Sequence, residues 1–162
     1  MKKIFIIVLA ALFLTGCGAA QTFEPVTDVY GEEARPVPQN VSLTLPTQAA
    51  VQTISGDDGT IYLCDGYDVI RQVMPAGDIA ATLRTLTGFD PDRLSVIETG
   101  SGDVIRYSRV WTAAGETGDL IARAAVLDDG QYHYCLTLMT NAEDVGKFQE
   151  QWQEIFASYA LD

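Results

Sequence analysis

The sequence predicts an α+β domain: a mostly antiparallel β-sheet of about six to seven strands, with a short middle helix and a long C-terminal helix packed on it. Three observations lead there. Stretches of period-two apolar alternation recur between residues 41 and 140. Asp-Gly turns, whose central positions tolerate positive φ, fall between such stretches at Asp58-Gly59 and Asp129-Gly130. The last segment, Ala142 to Tyr159, changes to helical spacing, with Val145, Phe148, Trp152, Ile155, Phe156 and Tyr159 on one side.

The chain opens on an export signal. Lys2 and Lys3 precede an apolar run of eleven residues, Ile4 to Leu14, which has the length of a signal-peptide core and falls short of the roughly 20 residues that span a bilayer. Leu14-Thr15-Gly16-Cys17 follows directly and resembles the lipobox of bacterial lipoproteins. The resemblance implies cleavage after Gly16, a diacylglyceryl lipid on the Cys17 thiol, and an extracytoplasmic protein anchored to the cell membrane or outer membrane. Two acyl chains hold a domain where one does not. An ordinary secreted protein with an incidental cysteine is the alternative.

Residues 17–40 read as a tether. Pro25, Pro36 and Pro38 interrupt any periodicity, and Glu24, Asp28, Glu32 and Glu33 load the stretch with charge, so it buries too little surface to offset chain entropy. Twenty-three residues beyond the cysteine reach about 75 Å fully extended and roughly 25 Å as a coil. Phe23, Val26, Val29 and Tyr30 offer a second reading, in which the segment packs on the domain.

The single α+β domain is expected over 41–162. Val41 to Pro46 alternates as a half-buried strand ended by Pro46. Ala50–Ile54 and Thr60–Cys64 flank the turn Ser55-Gly56-Asp57-Asp58-Gly59, and Asp68–Met74 is a further strand. Pro75 to Asp78 opens the middle helix, with Asp78 as N-cap, Ile79, Leu83 and Leu86 on one side, and Gly88 as stop. Leu94–Thr99, Asp103–Thr112, Leu120–Leu127 and Gln131–Thr140 make a four-stranded meander. Asn141 is placed to cap the final helix. The opener Val41–Pro46, the last strand Gln131–Thr140 and the helix running Phe148, Ile155 and Tyr159-Ala160-Leu161 are similar to the PsbP-like α/β/α sandwich, over about residues 41–161. Such domains commonly carry a tryptophan soon after the first strand, where this chain has Thr47-Gln48-Ala49-Ala50. A cystatin-like or nuclear-transport-factor-like curved sheet is the alternative.

Charge excludes one class of partner. The chain has 10 basic and 22 acidic residues, a net charge of −12. Removing residues 1–16 of 162 leaves 146 and takes two lysines, so 8 basic residues face 22 acidic ones and the charge becomes −14. Sequence-independent nucleic-acid binding needs a basic surface, and so does electrostatic docking on anionic lipid.

Candidate chemistry is sparse. Cys64 and Cys135 are the two thiols besides Cys17, and in an exported protein they are candidates for a disulfide. Both fall on the less aliphatic phase of their strands, compatible with one shared sheet face. Such a bridge would close a loop of about 70 residues and contribute ~4 kcal/mol. Two separate buried thiols are the other reading. His133 is the single histidine, two residues from Cys135, and any thiol–imidazole hydrolase would have to use it. No nucleophile elbow or oxyanion loop surrounds it, so a solvent-facing or hydrogen-bonded strand histidine is expected.

Asp57-Asp58 and Asp128-Asp129 lack the spacing of a calcium loop and are explained as hairpin turns. Gly100-Ser101-Gly102-Asp103 lacks the lysine and helix of a phosphate loop. No catalytic set, metal or cofactor is expected apart from the lipid. Tyr62, Tyr107, Trp111 and His133 are the candidate surface for a ligand or partner. The expectation is a non-enzymatic accessory or binding module of the cell envelope with an envelope protein as partner. The alternative is a lipoprotein that captures a hydrophobic or cationic ligand.

Overall fold

A computed structural model describes residues 36–53, 59–90, 92, 95–116 and 118–162. The expected signal peptide, the lipobox-like Leu14-Thr15-Gly16-Cys17, the expected tether up to residue 35 and the expected turn at Asp57-Asp58 lie outside the described residues.

The elements in chain order are β1 (Val41–Ser42), β2 (Ala50–Thr53), β3 (Gly59–Leu63), β4 (Asp68–Pro75), α1 (Ile79–Thr87), β5 (Ile97–Ser101), β6 (Val104–Ala114), β7 (Asp119–Asp128), β8 (Tyr132–Asn141), α2 (Val145–Ser158) and β9 (Ala160–Leu161). Seven strands form one sheet in the order β2-β3-β4-β8-β7-β6-β5, every neighbouring pair antiparallel. The fold is α+β, with a middle helix and a C-terminal helix. Two meanders, β2-β3-β4 and β5-β6-β7-β8, are joined where β4 pairs with β8 over Asp68↔Met139 to Pro75↔Tyr132. The segment containing α1 carries the chain from β4 to the far edge strand β5, four strand spacings or about 19 Å away.

The pairing register assigns every strand residue to one of two faces. On the first face, Val69, Leu127, Tyr134, Leu136 and Leu138 pack against Trp152, Ile155 and Phe156 of α2 and against Tyr159. Arg106 of β6 secures the end of that helix: its Nη2 donates to the Phe156 carbonyl at 2.7 Å and its Nη1 to the Tyr159 carbonyl at 3.1 Å. These carbonyls belong to the last turn of a helix, where no backbone donor is left to meet them. Arg123 lies 4.5 Å over the Phe156 ring. On the second face Leu83 of α1 packs on Val126 and Cys135.

Local chemistry explains the element ends. Asp78 accepts from the Ala80 N–H at 3.0 Å, and Gly88 takes φ 74° as its N–H donates to the Arg84 carbonyl, so α1 is capped at both ends as expected. In the β7–β8 turn Gly130 has φ 82°, Asp128 accepts from the Gly130 N–H, and one Asp129 oxygen accepts from the N–H groups of Gln131 and Tyr132. A third Asp-Gly turn, Asp65-Gly66, joins β3 to β4. Gly66 has φ 86°, and a Cβ there would stand 2.5 Å from the Phe148 ring of α2.

Three expectations are corrected. Val41 to Pro46 is not a strand of the sheet: only Val41–Ser42 pairs, with β9, while Leu43 and Leu45 pack on the core and the Thr44 N–H donates to Ser158 Oγ at 2.9 Å. Its alternation is real, but the apolar side rests on the core beside the end of α2. Asn141 does not cap α2. It is the last residue of β8, paired with Leu120, and the N-cap position falls on Asp144, whose carboxylate meets Lys147 at 2.5 Å. The domain also begins before residue 41, because Pro36 to Asn40 lie against the β7–β8 hairpin. The Gln39 N–H donates to Tyr134 Oη and its side-chain amide to Asp129, each at 2.8 Å, and Tyr132 Oη donates to the Pro36 carbonyl.

Two measurements test these contacts. Leu138→Ala, at a fully buried position where β8 meets Val69 of β4, should lower unfolding stability by about 2–5 kcal/mol in urea titration. Burial alone would raise the Asp129 carboxyl, but donors from Tyr132, Gln131, Tyr134 and Gln39 outweigh it and hold the pKa below the ordinary carboxylate range. The associated stability is complete above the unfolded value of about 3.9 and is lost as pH falls through the lower folded pKa. Asp129→Ala should therefore lower the urea midpoint at neutral pH, and the gap to the native chain should narrow as acid protonates the native carboxylate.

Candidate functional site

The face that carries α1 holds most of the residues singled out by sequence. Directly opposed pairs place Tyr107 beside Val126 and Cys135, Arg109 beside Ala124 and Thr137, and Trp111 beside Ala122 and Met139. These rows run from β6 across β7 to β8, and β4 continues the last of them with Asp68.

His133 is the most enclosed of the candidates, with 0% of its surface exposed. Its Nδ1 lies 2.7 Å from Thr82 Oγ1 of α1, and its Nε2 lies 3.5 Å from Asp128 Oδ2, too far for a full hydrogen bond. A carboxylate on that side favours the proton on Nε2, which assigns the Thr82 hydroxyl as donor to Nδ1. The imidazole thus ties α1 to the β7–β8 hairpin. The solvent-facing half of the expectation is corrected and the hydrogen-bonded half stands: α1 closes over this position.

The cysteines are not brought together. Cys135 packs with Leu83 on the α1 face, whereas Cys64 packs with the core on the α2 face, and both are free thiols. Cys64 follows Leu63, which aligns through Asp68 with Met139, while Cys135 aligns through Gln72 with Gly59. The offset along the strands is about five residues, or ~16 Å, against a Cα separation of about 4.4–6.8 Å in a disulfide. The expected bridge and the shared face are both corrected. Period two places a residue on a phase, but the choice of face needs the register. Burial pushes the Cys135 thiol up to about 12 and raises Cys64 as well. Cys135 is therefore a thiol, not a nucleophilic thiolate, near neutral pH.

The candidate aromatic surface separates too. Tyr62 pairs with Val69 and packs on the α2-face core, so it does not share a surface with the other three. Tyr107 lies under the α1 end of the second face, its phenol raised by burial and then by Glu98 and Asp128. Trp111 lies two pairs further along β6 in a cluster with Ala122, Ala124 and Met139, to which no residue of either helix contributes.

Between Tyr107 and Trp111 stands Arg109, which sequence reasoning passed over. It is 2% exposed, and its Nε, Nη1 and Nη2 have no hydrogen-bond partner among the described residues. Burial lowers its pKa, yet a guanidinium remains charged in any protein setting. A signal was present: Tyr107, Arg109 and Trp111 alternate on one face opposite the alternating alanines of Leu120–Leu127, which sets a cation into an apolar row. The Asp128 and Asp129 carboxylates are by contrast taken up by backbone N–H groups of the turn, as the hairpin reading requires.

No protein-family model matches the chain, and no curated protein matches it.

The thiols give a direct check on the second face. In the full chain with Cys17→Ser, intact mass should be unchanged by reductant. Iodoacetamide at mildly alkaline pH should modify Cys135 only after denaturation, because its thiol is both buried and protonated. A gain of mass on reduction would reveal a bridge.

Proposed function

We propose that this chain is a membrane-anchored extracytoplasmic lipoprotein whose domain is a non-enzymatic accessory or binding module of the cell envelope. The anchor rests on Lys2-Lys3, the Ile4–Leu14 run and Leu14-Thr15-Gly16-Cys17, and the domain is read as PsbP-like on the resemblance of residues 41–161. The observation that carries the binding reading is Arg109, a buried guanidinium without a hydrogen-bond partner among the described residues, beside the buried cluster of Trp111, Ala122 and Ala124 with Met139.

A Cys/His hydrolase finds less support, because His133 is enclosed between Thr82 and Asp128 and the Cys135 thiol is held protonated. Capture of a small ligand is the second reading, favoured by the apolar character of the same cluster. Arg109 sets its charge preference against a cation. The acidic chain also speaks against nucleic acid as a partner.

Metabolic labelling with radioactive palmitate, in bacteria expressing the full chain, tests the anchor. Label should enter the native chain and co-sediment with membranes. In Cys17→Ser both label and sedimentation should be lost, and retention of label by that variant would overturn the proposal.

A further inference from the structure

We propose that β5, an edge of the seven-stranded sheet, takes an extended segment of a basic partner protein as an eighth strand. The inference rests on reading this domain as a binding module and names the partner it takes.

Hydrogen-bond parity identifies the groups on offer. The Gly115 N–H donates to the Gly118 carbonyl in the β6–β7 turn. Odd-numbered residues of β6 therefore direct their backbone to β7 and even-numbered ones to β5, as antiparallel alternation requires. Val104, Arg106 and Ser108 thus bond to Ser101, Thr99 and Ile97. Glu98 and Gly100, opposite Tyr107 and Ile105, turn their N–H and C=O groups away from the sheet. Among the described residues no other strand or turn reaches these groups.

The devices that blunt natural sheet edges are missing from β5. Ile97-Glu98-Thr99-Gly100-Ser101 contains no lysine and no proline. Its register with β6 runs one to one, so no bulge turns it aside. Ile97, Glu98, Thr99 and Gly100 are all exposed, Ile97 at 65%. Shortness is its protection, and it confines pairing to a partner that supplies more than backbone bonds.

Gly100 supports the same reading. Its φ lies outside the left-handed region, and a Cβ there would meet nothing within 4 Å. Neither backbone conformation nor packing within the chain requires glycine at this position. Glycine weakens a strand, and one use of it there is the close approach of another backbone. The opposite edge, β2, reads Ala50-Val51-Gln52-Thr53 and has no such residue.

Charge names the partner. Among the described residues, the exposed charges on β5 and its turn to β6 are Glu98 and Asp103, both acidic. Asp128 lies on the same face as Glu98, two strands away. The two cations of β6 do not offset them. Arg109 on that face is buried, and Arg106 on the other donates to the Phe156 and Tyr159 carbonyls. A second copy would set an acidic edge on an acidic edge, with a net charge of −12 on each chain. An added strand thus carries basic residues toward Glu98 and, by period two, apolar ones toward Ile97 on the other face.

The test uses the isotopically labelled full chain with Cys17→Ser, followed by amide NMR, and an acetylated, amidated Lys-Val-Lys-Val-Lys-Val peptide as probe. Glu-Val-Glu-Val-Glu-Val is the acidic control, and the basic peptide N-methylated at its lysines is the control that lacks the pairing donors. Saturable binding of the probe is expected. The Glu98 and Gly100 amides should shift and exchange with solvent about tenfold more slowly, and both controls should bind about tenfold more weakly or worse. Gly100→Pro should abolish binding and leave the chain folded, because the N–H it removes has no ladder partner. Glu98→Lys should turn the preference toward the acidic peptide, and it keeps the proposal testable if Gly100→Pro fails to fold.

Absence of saturable binding, equal binding of the basic and acidic peptides, or affinity unchanged by both Gly100→Pro and Glu98→Lys would overturn the proposal. So would loss of binding in Val51→Pro with retention in Gly100→Pro, which would move the added strand to β2. A concentration-dependent dimer that Gly100→Pro disperses would also overturn it, by making a second copy the occupant. These outcomes leave palmitate labelling at Cys17 untouched, so they are distinguishable from failure of the anchored-module reading.

Discussion

The pairing of β4 with β8 is the constraint on which the rest of the molecule depends. Each meander could form from local turns, but neither alone makes a sheet wide enough to bury a long amphipathic helix. Joined edge to edge, they place Val69 beside Leu138 at the centre of one face and Gln72 beside Cys135 at the centre of the other. Eight residues of register, from Asp68↔Met139 to Pro75↔Tyr132, thereby set the orientation of every side chain in seven strands. A slip of one residue would turn Val69, Leu136 and Leu138 away from the aromatic residues of α2.

The two faces that result are unequal. The α2 face is closed by Trp152, Ile155 and Phe156, and its boundary is tied by polar contacts: Arg106 on the last carbonyls of the helix, the Thr140 hydroxyl on the Gly66 carbonyl, and Gln39 on the hairpin that ends in Tyr134. The α1 face is joined to its helix through one apolar contact region and one polar link, Leu83 on Val126 and Cys135, and Thr82 on His133. A nine-residue helix is about 13 Å long, too short to cover a seven-stranded sheet. Among the described residues, the Trp111 cluster beyond it contains strand residues only, and the Arg109 guanidinium beside it has no hydrogen-bond partner.

Much of the architecture was legible in the sequence, and the reasons are particular. Asp78 and Gly88 bracket nine residues that can do little else but form a capped helix. Asp129-Gly130 marks a hairpin because the carboxylate satisfies turn N–H groups and glycine accepts positive φ. The apolar spacing from Val145 to Tyr159 has the helical period and no strand alternative. Where the reading went astray, a correct local pattern met an unforeseen partner. Val41 to Leu45 does alternate, but its apolar side rests on the core beside the end of α2. Asn141 has the chemistry of a cap, yet β8 holds its backbone extended opposite Leu120.

Local order in the chain was thus sufficient for the turns, the helix caps, the amphipathic periods and the acidic balance, because each depends on side chains within a few positions of one another or on composition alone. The assignment of residues to faces was a matter of long-range pairing. Cys64 and Cys135 are equivalent by phase and part to opposite sides of the sheet, and Tyr62 leaves Tyr107 and Trp111 for the same reason. Arg109 is one of several arginines in the sequence. It becomes a buried cation, without a hydrogen-bond partner among the described residues, only when β6 lies against β7 and Ala124 stands opposite, because desolvation is a property of the assembled face rather than of the residue.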